Sequence, residues 1–210
     1  MEHLKHVIPN IEHKEQGIEY IQEHLDYHSQ INGSGGLDRY INDYEVWLEK
    51  LNQDRLTIPS ENRVPAETYY LVRQEDNRII GMINIRLTLN KRLKECGGHI
   101  GYGIRPSERQ KGYNKINLYL ALCRCQELGI KEVYLDCDID NPGSYKTMEA
   151  LGGIRISEYE SKYNEGKIYR YAINVEEAIN NHKEEYEQKI LKRNRGEIKW
   201  TQYKVLIHQQ

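Results

Sequence analysis

The sequence lacks several features that would mark a membrane or secreted protein. It has no phenylalanine, three methionines and two tryptophans in 210 residues, so its 17 tyrosines supply most of the aromatic surface. It contains no run of 18 apolar residues, which a membrane-spanning helix needs, and residues 1–6 lack the apolar stretch of a signal peptide. These absences argue against a helical membrane protein and against a membrane partner, and they predict a cytoplasmic location.

An excess of charge of either sign is also missing. The 30 basic and 32 acidic residues give a net charge of -2 at pH 7. A general nucleic-acid-binding surface would need a clear positive excess, so nucleic acid is not predicted as a partner. The four cysteines form no CxxC pair and fall within or beside predicted core elements, at positions 96, 123, 125 and 137. We interpret them as free thiols in a reducing compartment.

A metal site is not predicted. His24 and His28 stand four residues apart in a helix predicted from Glu12 to about Ser29, a spacing that can chelate a metal. The glutamate of an HExxH motif and a third ligand are both missing, so we predict that the two histidines lie on a solvated helix face. The glycine-rich residues 32–36 have no lysine and no preceding strand, and we interpret them as a hinge.

What the sequence does contain is a strand, a basic turn and a helix in direct succession. The strand is predicted over His99–Ile104 and is closed by Pro106, which cannot donate to a ladder. The spacing of apolar residues predicts the helix from Lys115 to Leu128. Between them lies the turn Arg109–Asn114. Amide groups at a helix start lack partners and carry the positive end of the helix dipole, so this turn is predicted to bind an anion such as a diphosphate.

This turn resembles the acetyl-CoA-binding turn of the GNAT superfamily of N-acetyltransferases, whose pattern is [RQ]-x-x-G-x-[GA]. Arg109 and Gly112 match the pattern, whereas Asn114 stands where glycine or alanine is usual. The strand-like residues 129–137 and a helix that begins near Asn141 and ends in Leu-Gly follow in the order of the family. The likeness extends from about residue 4 to residue 174. The last strand and the Gly-Ser-Gly-Gly loop resemble a small-molecule-type branch of predicted acetyltransferases.

The resemblance predicts a mixed α/β GNAT fold with a C-terminal extension. We predict an acetyltransferase domain over residues 1–174 and an extension over residues 175–210, which holds a helix followed by an edge strand. That strand would pair within the chain or with a second subunit of a homodimer. The other predicted elements are a first strand (4–8), a second helix (37–52), a hairpin (68–73 with 78–86) and a closing hairpin (154–160 with 167–174).

The resemblance also implies acetyl-CoA as the cosubstrate and direct acetyl transfer to a primary amine of a small molecule or a protein. The early helices and the loop between them would border the acceptor pocket. Backbone amides of the turn would hold the diphosphate, Arg109 and Lys111 would add charge, and the central strand near Ile104 would pair with the pantetheine arm. The implied cosubstrate-binding residues are Ile104, Arg109, Gln110, Lys111, Gly112, Tyr113, Asn114 and Asn141.

The acceptor amine must attack in its neutral form, which costs about 4–5 kcal/mol at pH 7 for a lysine-like amine. A general base is therefore expected. The candidates on the central strands are His99, Asp136 and Asp138, with Tyr102 as a relay, and His99 is preferred because an ordinary histidine titrates near neutrality. Tyr145 is the candidate general acid, because Met148 stands where many relatives have that tyrosine.

Two alternatives remain open at this stage. Met148 and Asn114 depart from the family's pattern, and a catalytically inactive acyl-CoA-binding sensor or scaffold would tolerate both departures. The basic end of residues 176–210 would suit a nucleic-acid-associated module, although acidic residues precede it.

Overall fold

In residues 3–161 and 166–190, which the computed structural model describes, seven strands form two antiparallel sheets. The first sheet has the order β1 (Leu4–Val7), β2 (Ala66–Arg73), β3 (Arg78–Arg86) and β4 (Ile100–Ile104), and the second has the order β5 (Glu132–Asp138), β7 (Lys167–Asn174) and β6 (Ile154–Glu160). The helices are α1 (Lys14–Asp26), α2 (Tyr44–Arg55), α3 (Lys91–Glu95), α4 (Tyr113–Glu127), α5 (Pro142–Ala150) and α6 (Val175–Glu187). The predicted mixed α/β fold is confirmed.

The side-chain alternation of β3 separates two hydrophobic layers. Ile83 and Ile85 join a cluster with residues of α4, α5 and α6, whereas Met82 joins a second cluster with residues of α1 and α2. Successive side chains of a strand point to opposite faces, so Asn84 and Arg86 lie on the same face as Met82. This face carries the polar groups that matter for the site.

Strands β4 and β5 are neighbours that diverge. The N–H of His99, just before β4, donates to the carbonyl of Tyr134 on β5 at 2.7 Å. Beyond this point, β4 pairs only with β3 among the described residues, and the two sheets separate. Gly98 has φ +59°, and a Cβ on it would overlap the Tyr134 carbonyl. The glycine therefore allows the backbones to meet at one end of a split that opens toward Ile104.

Several predicted boundaries were wrong for local reasons. The second helix is not continuous over residues 37–52: a short 3-10 turn covers Leu37–Arg39, and α2 begins only at Tyr44. Residues 91–95 form α3, capped by the side chain of Asn90, and none of the elements predicted from the sequence covers them. His24 is fully buried and its ring packs on Tyr20 at 4.4 Å, so the prediction of a solvated face fails for this residue.

The C-terminal helix α6 packs on the main core. It ends at Glu187, and its Tyr186 ring lies 5.0 Å from that of Tyr119 on α4. The N–H of Leu4 donates to the carbonyl of Lys189, which ties β1 to the end of this helix. The predicted edge strand over residues 200–207 and most of the turn over residues 163–166 lie outside the described residues.

Across residues 3–161 and 166–190 we find no helix that combines the length and the apolar composition needed to span a membrane. The four cysteines are free thiols, as predicted, and Cys125 and Cys137 are buried.

We predict that Gly98→Ala destabilises the protein more than Gly152→Ala. Both glycines have positive φ, which costs an alanine about 1–2 kcal/mol, but nothing lies within 4 Å of a Cβ on Gly152. At Gly98 the added methyl group must also push Tyr134 away, which adds about 1–3 kcal/mol. Urea unfolding of the two variants measures the difference. Equal losses would contradict a close approach of β4 and β5 at this point.

Candidate active site

The split between β4 and β5 exposes backbone hydrogen-bonding groups. The N–H of Arg86 on β3 donates to the carbonyl of His99, and the N–H of Arg105 donates to the carbonyl of Ile80. Because polar groups of successive residues point to opposite edges of a strand, the N–H and C=O of Tyr102 and Ile104 point away from β3 and toward the split. A ligand lying in the split could pair with them.

A loop with unpaired amides leads into α4 beside this split. Gln110 and Gly112 have φ of +63° and +82°, which turns successive N–H groups toward a common side. The amides of Gln110, Lys111, Gly112 and Asn114 donate no hydrogen bond within the part of the chain that the structure describes. The dipole of the 15-residue helix α4 adds positive potential there. The loop has the geometry of an anion site.

The basic side chains of this loop form hydrogen bonds and ion pairs with other residues of the protein. Arg109 donates to the Ser29 hydroxyl at 2.6 Å and to the Ile104 carbonyl at 3.2 Å. Lys111 lies 2.8 Å from the buried carboxylate of Glu108. Burial raises the pKa of Glu108, but hydrogen bonds from Lys111 and Arg73 outweigh that effect and leave the pKa below its ordinary value. The side chain of Tyr113 is buried, with its hydroxyl 3.2 Å from Arg73.

The two predicted asparagines have contacts on α5. The Asn114 side chain extends toward Thr147, with 3.4 Å between its Nδ2 and the threonine hydroxyl. Asn141 is the N-cap of α5 and accepts from the N–H of Ser144 at 3.1 Å. Asn114 therefore lies between the loop and α5 and does not extend over the loop amides.

His99 lies at the closed end of the split. It is buried, its ring stacks on that of Tyr134, and its Nδ1 accepts from the N–H of Tyr134 at 3.1 Å. Burial, with the nearby charges of Arg86 and Arg170, lowers its pKa to about 4. The role of general base stays a prediction for His99, and these contacts favour a structural role.

The carboxylate of Asp136 also makes structural contacts. Its carboxylate forms an ion pair with Arg170 at 3.0 Å and accepts from the Tyr159 hydroxyl at 2.6 Å and from the N–H of Gly97. Arg170 in turn donates to the carbonyls of Leu93 and Lys94. This network, which the sequence analysis did not find, fixes α3 and the start of β4. Its only sequence signal was an arginine inside an otherwise apolar and aromatic strand.

Three groups remain near the open end of the split. Tyr102 reaches from β4 to α5, where its hydroxyl lies 2.9 Å from that of Ser144, and burial raises its pKa. Tyr145 is half-buried and packs edge-on against Tyr169. Asp138 ends β5 on the face it shares with Asp136, and its carboxylate has no ion pair or hydrogen bond with residues in the described ranges.

An open cavity of about 940 Å³ lies on the α1 and α2 side of the sheet. Its walls come from the glycine-rich loop, α2, the end of β3 and the region of α3. A Cβ on Gly33 would meet the backbone of Met82, Gly101 and Tyr102, so the loop lies directly on β3 and β4. This tight packing is the structural reason for the glycine that the sequence analysis placed in a hinge.

Solved structures with the same fold were found. The structure titled Mycobacterium smegmatis RimJ in complex with CoA-disulfide matches with a TM-score of 0.66 at 11% identity, covering 87% of this chain and 88% of that one. RimL, titled as a ribosomal L7/L12 alpha-N-protein acetyltransferase in complex with coenzyme A, matches with a TM-score of 0.62 at 15% identity, covering 82% and 94%. Microcin C7 self immunity acetyltransferase MccE, in complex with acetyl-CoA and AMP, matches with a TM-score of 0.61 at 12% identity, covering 82% and 92%.

At these identities the similarity shows the fold. No curated protein matches the chain in sequence. The sequence profile of the acetyltransferase (GNAT) family, however, matches residues 36–153, which is more than half of the 210 residues. The match spans the split, the loop before α4 and most of the cavity wall, and it confirms the predicted family and the predicted enzyme class, an acyltransferase. The chain belongs to the acetyltransferase (GNAT) family.

Proposed function

We propose that this protein is an N-acetyltransferase that transfers an acetyl group from acetyl-CoA to a primary amine of a small molecule or protein by direct attack. The observation that carries the proposal is the diverging pair β4 and β5 with an unpaired amide loop beside it. A diphosphate with a long polar arm fits both features. Structures similar in fold hold acetyl-CoA or coenzyme A.

Binding would use backbone groups more than side chains. The amides of residues 110–114 would donate to the diphosphate, with the helix dipole behind them. The pantetheine arm would enter the split and pair with the outward-facing groups of Ile104 and Tyr102. Arg109 occupies the Ile104 carbonyl in this structure, so we propose that it leaves that carbonyl when the arm binds. Asn141 would keep its capping role at the edge of the arm's path.

The residues at the open end would then serve the transfer. A backbone N–H of β4 would stabilise the oxyanion, an effect worth about 3 kcal/mol in other acyl-transfer sites. Asp138 would hold the acceptor ammonium and take its proton, directly or through water. As the new C–N bond forms and the C–S bond breaks, Tyr102 would give a proton to the departing thiolate. A tyrosine hydroxyl is already protonated at neutral pH, and burial raises the pKa of Tyr102 further, so it would give its proton only as negative charge develops on the sulfur. Tyr145, the candidate acid of the sequence analysis, is the alternative to Tyr102.

The inactive sensor stays as the alternative, and one observation favours it. Met148, which replaces the usual acid, is buried in the main cluster and presents no polar group there. A sensor would bind the cosubstrate without turnover.

The direct test is a thiol-release assay with acetyl-CoA and a panel of amines, together with calorimetric titration of coenzyme A. We expect coenzyme A to bind and at least one amine to raise thiol release above the rate of hydrolysis in water. Binding without release on any amine would contradict the transferase and support the sensor.

Tyr102→Phe is expected to lower kcat by about 10²- to 10⁴-fold, the usual contribution of a positioned acid, with little change in coenzyme A affinity. Tyr145→Phe serves as the matched variant, because it removes a hydroxyl from the neighbouring helix and keeps its ring contact. Comparison of the two kcat values shows which tyrosine is the general acid. A large loss in Tyr145→Phe alone would move the acid to Tyr145.

His99 should make the protein less stable in mild acid. Its pKa is lowered to about 4 in the folded state, so the unfolded state binds more protons between the ordinary value of 6.5 and about 4. Stability contributed by neutral His99 is therefore full above about pH 6.5 and is lost as the pH falls. Between about pH 7.5 and about pH 5 the loss is about 2 kcal/mol. His99→Gln should remove that part of the pH dependence in urea unfolding; an unchanged slope would show that His99 is not buried as the neutral form.

A further inference from the structure

The floor of the large cavity carries an arginine that forms no ion pair with any carboxylate in residues 3–161 and 166–190. Arg86 ends β3 on the face that meets α1 and α2, and it lines the cavity together with Asn84. Its Nη1 donates to the carbonyls of Gly97 and Gly98, both at 3.0 Å. Its Nη2 and Nε donate no hydrogen bond to any residue in the ranges that the structure describes. Two donor groups of a charged, half-buried side chain are therefore available to a ligand.

The carboxylates around the cavity do not compensate this charge. Asp136 is the acidic group that acts on Arg86, but it is already paired with Arg170. On the α2 wall, Asp54 forms ion pairs with Lys50 and Arg63. Asp38 accepts from the Ser34 hydroxyl within the glycine-rich loop. Burial lowers the pKa of Arg86, and the nearby positive charge of Arg92 lowers it further. The charged side chains that line the cavity are three carboxylates and five cations, so the lining has a positive net charge that suits an anion; they are Asp38, Glu49 and Asp54 against Arg39, Lys50, Arg63, Arg86 and Arg92.

Arg86 lies beside the strand where the proposed transfer occurs. A Cβ on Gly101 of β4 would lie 3.9 Å from Nη2 of Arg86 and 3.7 Å from the N–H nitrogen of Gly33. Gly103, two residues further along β4, lies about 7 Å away along the strand, toward the open end of the split. The glycine-rich loop covers the face of β4 at Gly101 and Gly103, so an acceptor with its anionic group at Arg86 would bring its amine to the split past the edge of β4 that faces β5.

We propose, on the basis of the proposed function, that the acceptor carries an anionic group, a carboxylate or a phosphate monoester, and that Arg86 binds it. The guanidinium is held by Gly97 and Gly98 and offers a planar fork, which matches both anions. The spacing along β4 favours an acceptor whose amine and anion are separated by several bonds. Arg86 is then a specificity-determining residue of the acceptor site.

Matched amines test this proposal. The pairs are 4-aminobutyrate with butylamine and 6-aminohexanoate with hexylamine for the carboxylate, and phosphoethanolamine with ethylamine for the phosphate. We expect at least one anionic member to have a kcat/KM about 10-fold or more above its neutral partner. Arg86→Gln should lower kcat/KM for that anionic amine by about 10- to 100-fold, as expected for a lost charge-assisted hydrogen bond, and change the neutral amine far less.

Two further variants separate charge from geometry and from folding. Lys131→Gln removes one positive charge from an exposed position before β5 and should leave the preference unchanged. Arg86→Lys keeps the charge but loses the fork, so it should restore only part of the preference. Coenzyme A affinity of Arg86→Gln, measured by calorimetry, reports whether the split is intact and must stay within about threefold of the parent.

The outcomes distinguish this proposal from the transferase proposal. Two outcomes would overturn the acceptor assignment and leave the transferase proposal intact. In the first, anionic and neutral amines have equal kcat/KM. In the second, Arg86→Gln lowers kcat/KM equally for anionic and neutral amines while its coenzyme A affinity stays normal. If no amine is acetylated, binding of the anionic amines is measured by saturation-transfer NMR with coenzyme A present. Binding to the parent protein that disappears in Arg86→Gln would support the anion site. Absence of binding to the parent protein would overturn it.

Discussion

The structure depends on one backbone contact, the hydrogen bond from His99 to Tyr134 at the closed end of the β4 and β5 pair. Two extended strands placed side by side would normally continue pairing, because unpaired N–H and C=O groups are costly when buried. Here Gly98 turns the chain with positive φ, and the strands then follow separate sheets. At the open end, the N–H and C=O of Tyr102 and the N–H of Ile104 have no partner among the described residues, and a substrate arm can supply one.

A polar network fixes this contact from the side of the cavity. Arg86 binds the carbonyls of Gly97 and Gly98, Asp136 accepts from the N–H of Gly97, and Arg170 joins Asp136 to the carbonyls of α3. Buried charges of this kind are costly to break, because removal of one partner leaves the other uncompensated. The network therefore gives the split a fixed position relative to α3, and it leaves part of Arg86 facing the acceptor cavity.

Sequence patterns predicted the strands and helices whose bounds depend on residues close together in the chain. The two predicted hairpins gave the bounds of β3, β6 and β7, and the apolar spacing behind the loop located α4 to within two residues. The five-residue helix α3 is too short to show a period. The break before α2 is a turn in which the N–H groups of Tyr40 and Asp43 donate to the carbonyls of Leu37 and Tyr40. The partners of Asp136 and His99 lie 23 to 39 residues away in sequence, so no local pattern reveals that both side chains already have partners. His24 was misplaced because a polar residue type was taken as evidence of exposure.

The most direct test of the account is to observe the loop amides themselves. In ¹H–¹⁵N NMR spectra, addition of coenzyme A should shift the amide signals of Gln110, Lys111, Gly112 and Asn114 strongly, as expected when each gains a charged acceptor. Pantetheine, which has the arm without the diphosphate, should shift Tyr102 and Ile104 and leave the loop signals nearly unchanged. Loop amides that stay unshifted at saturating coenzyme A would contradict the central claim that this loop and the split together form the cosubstrate site.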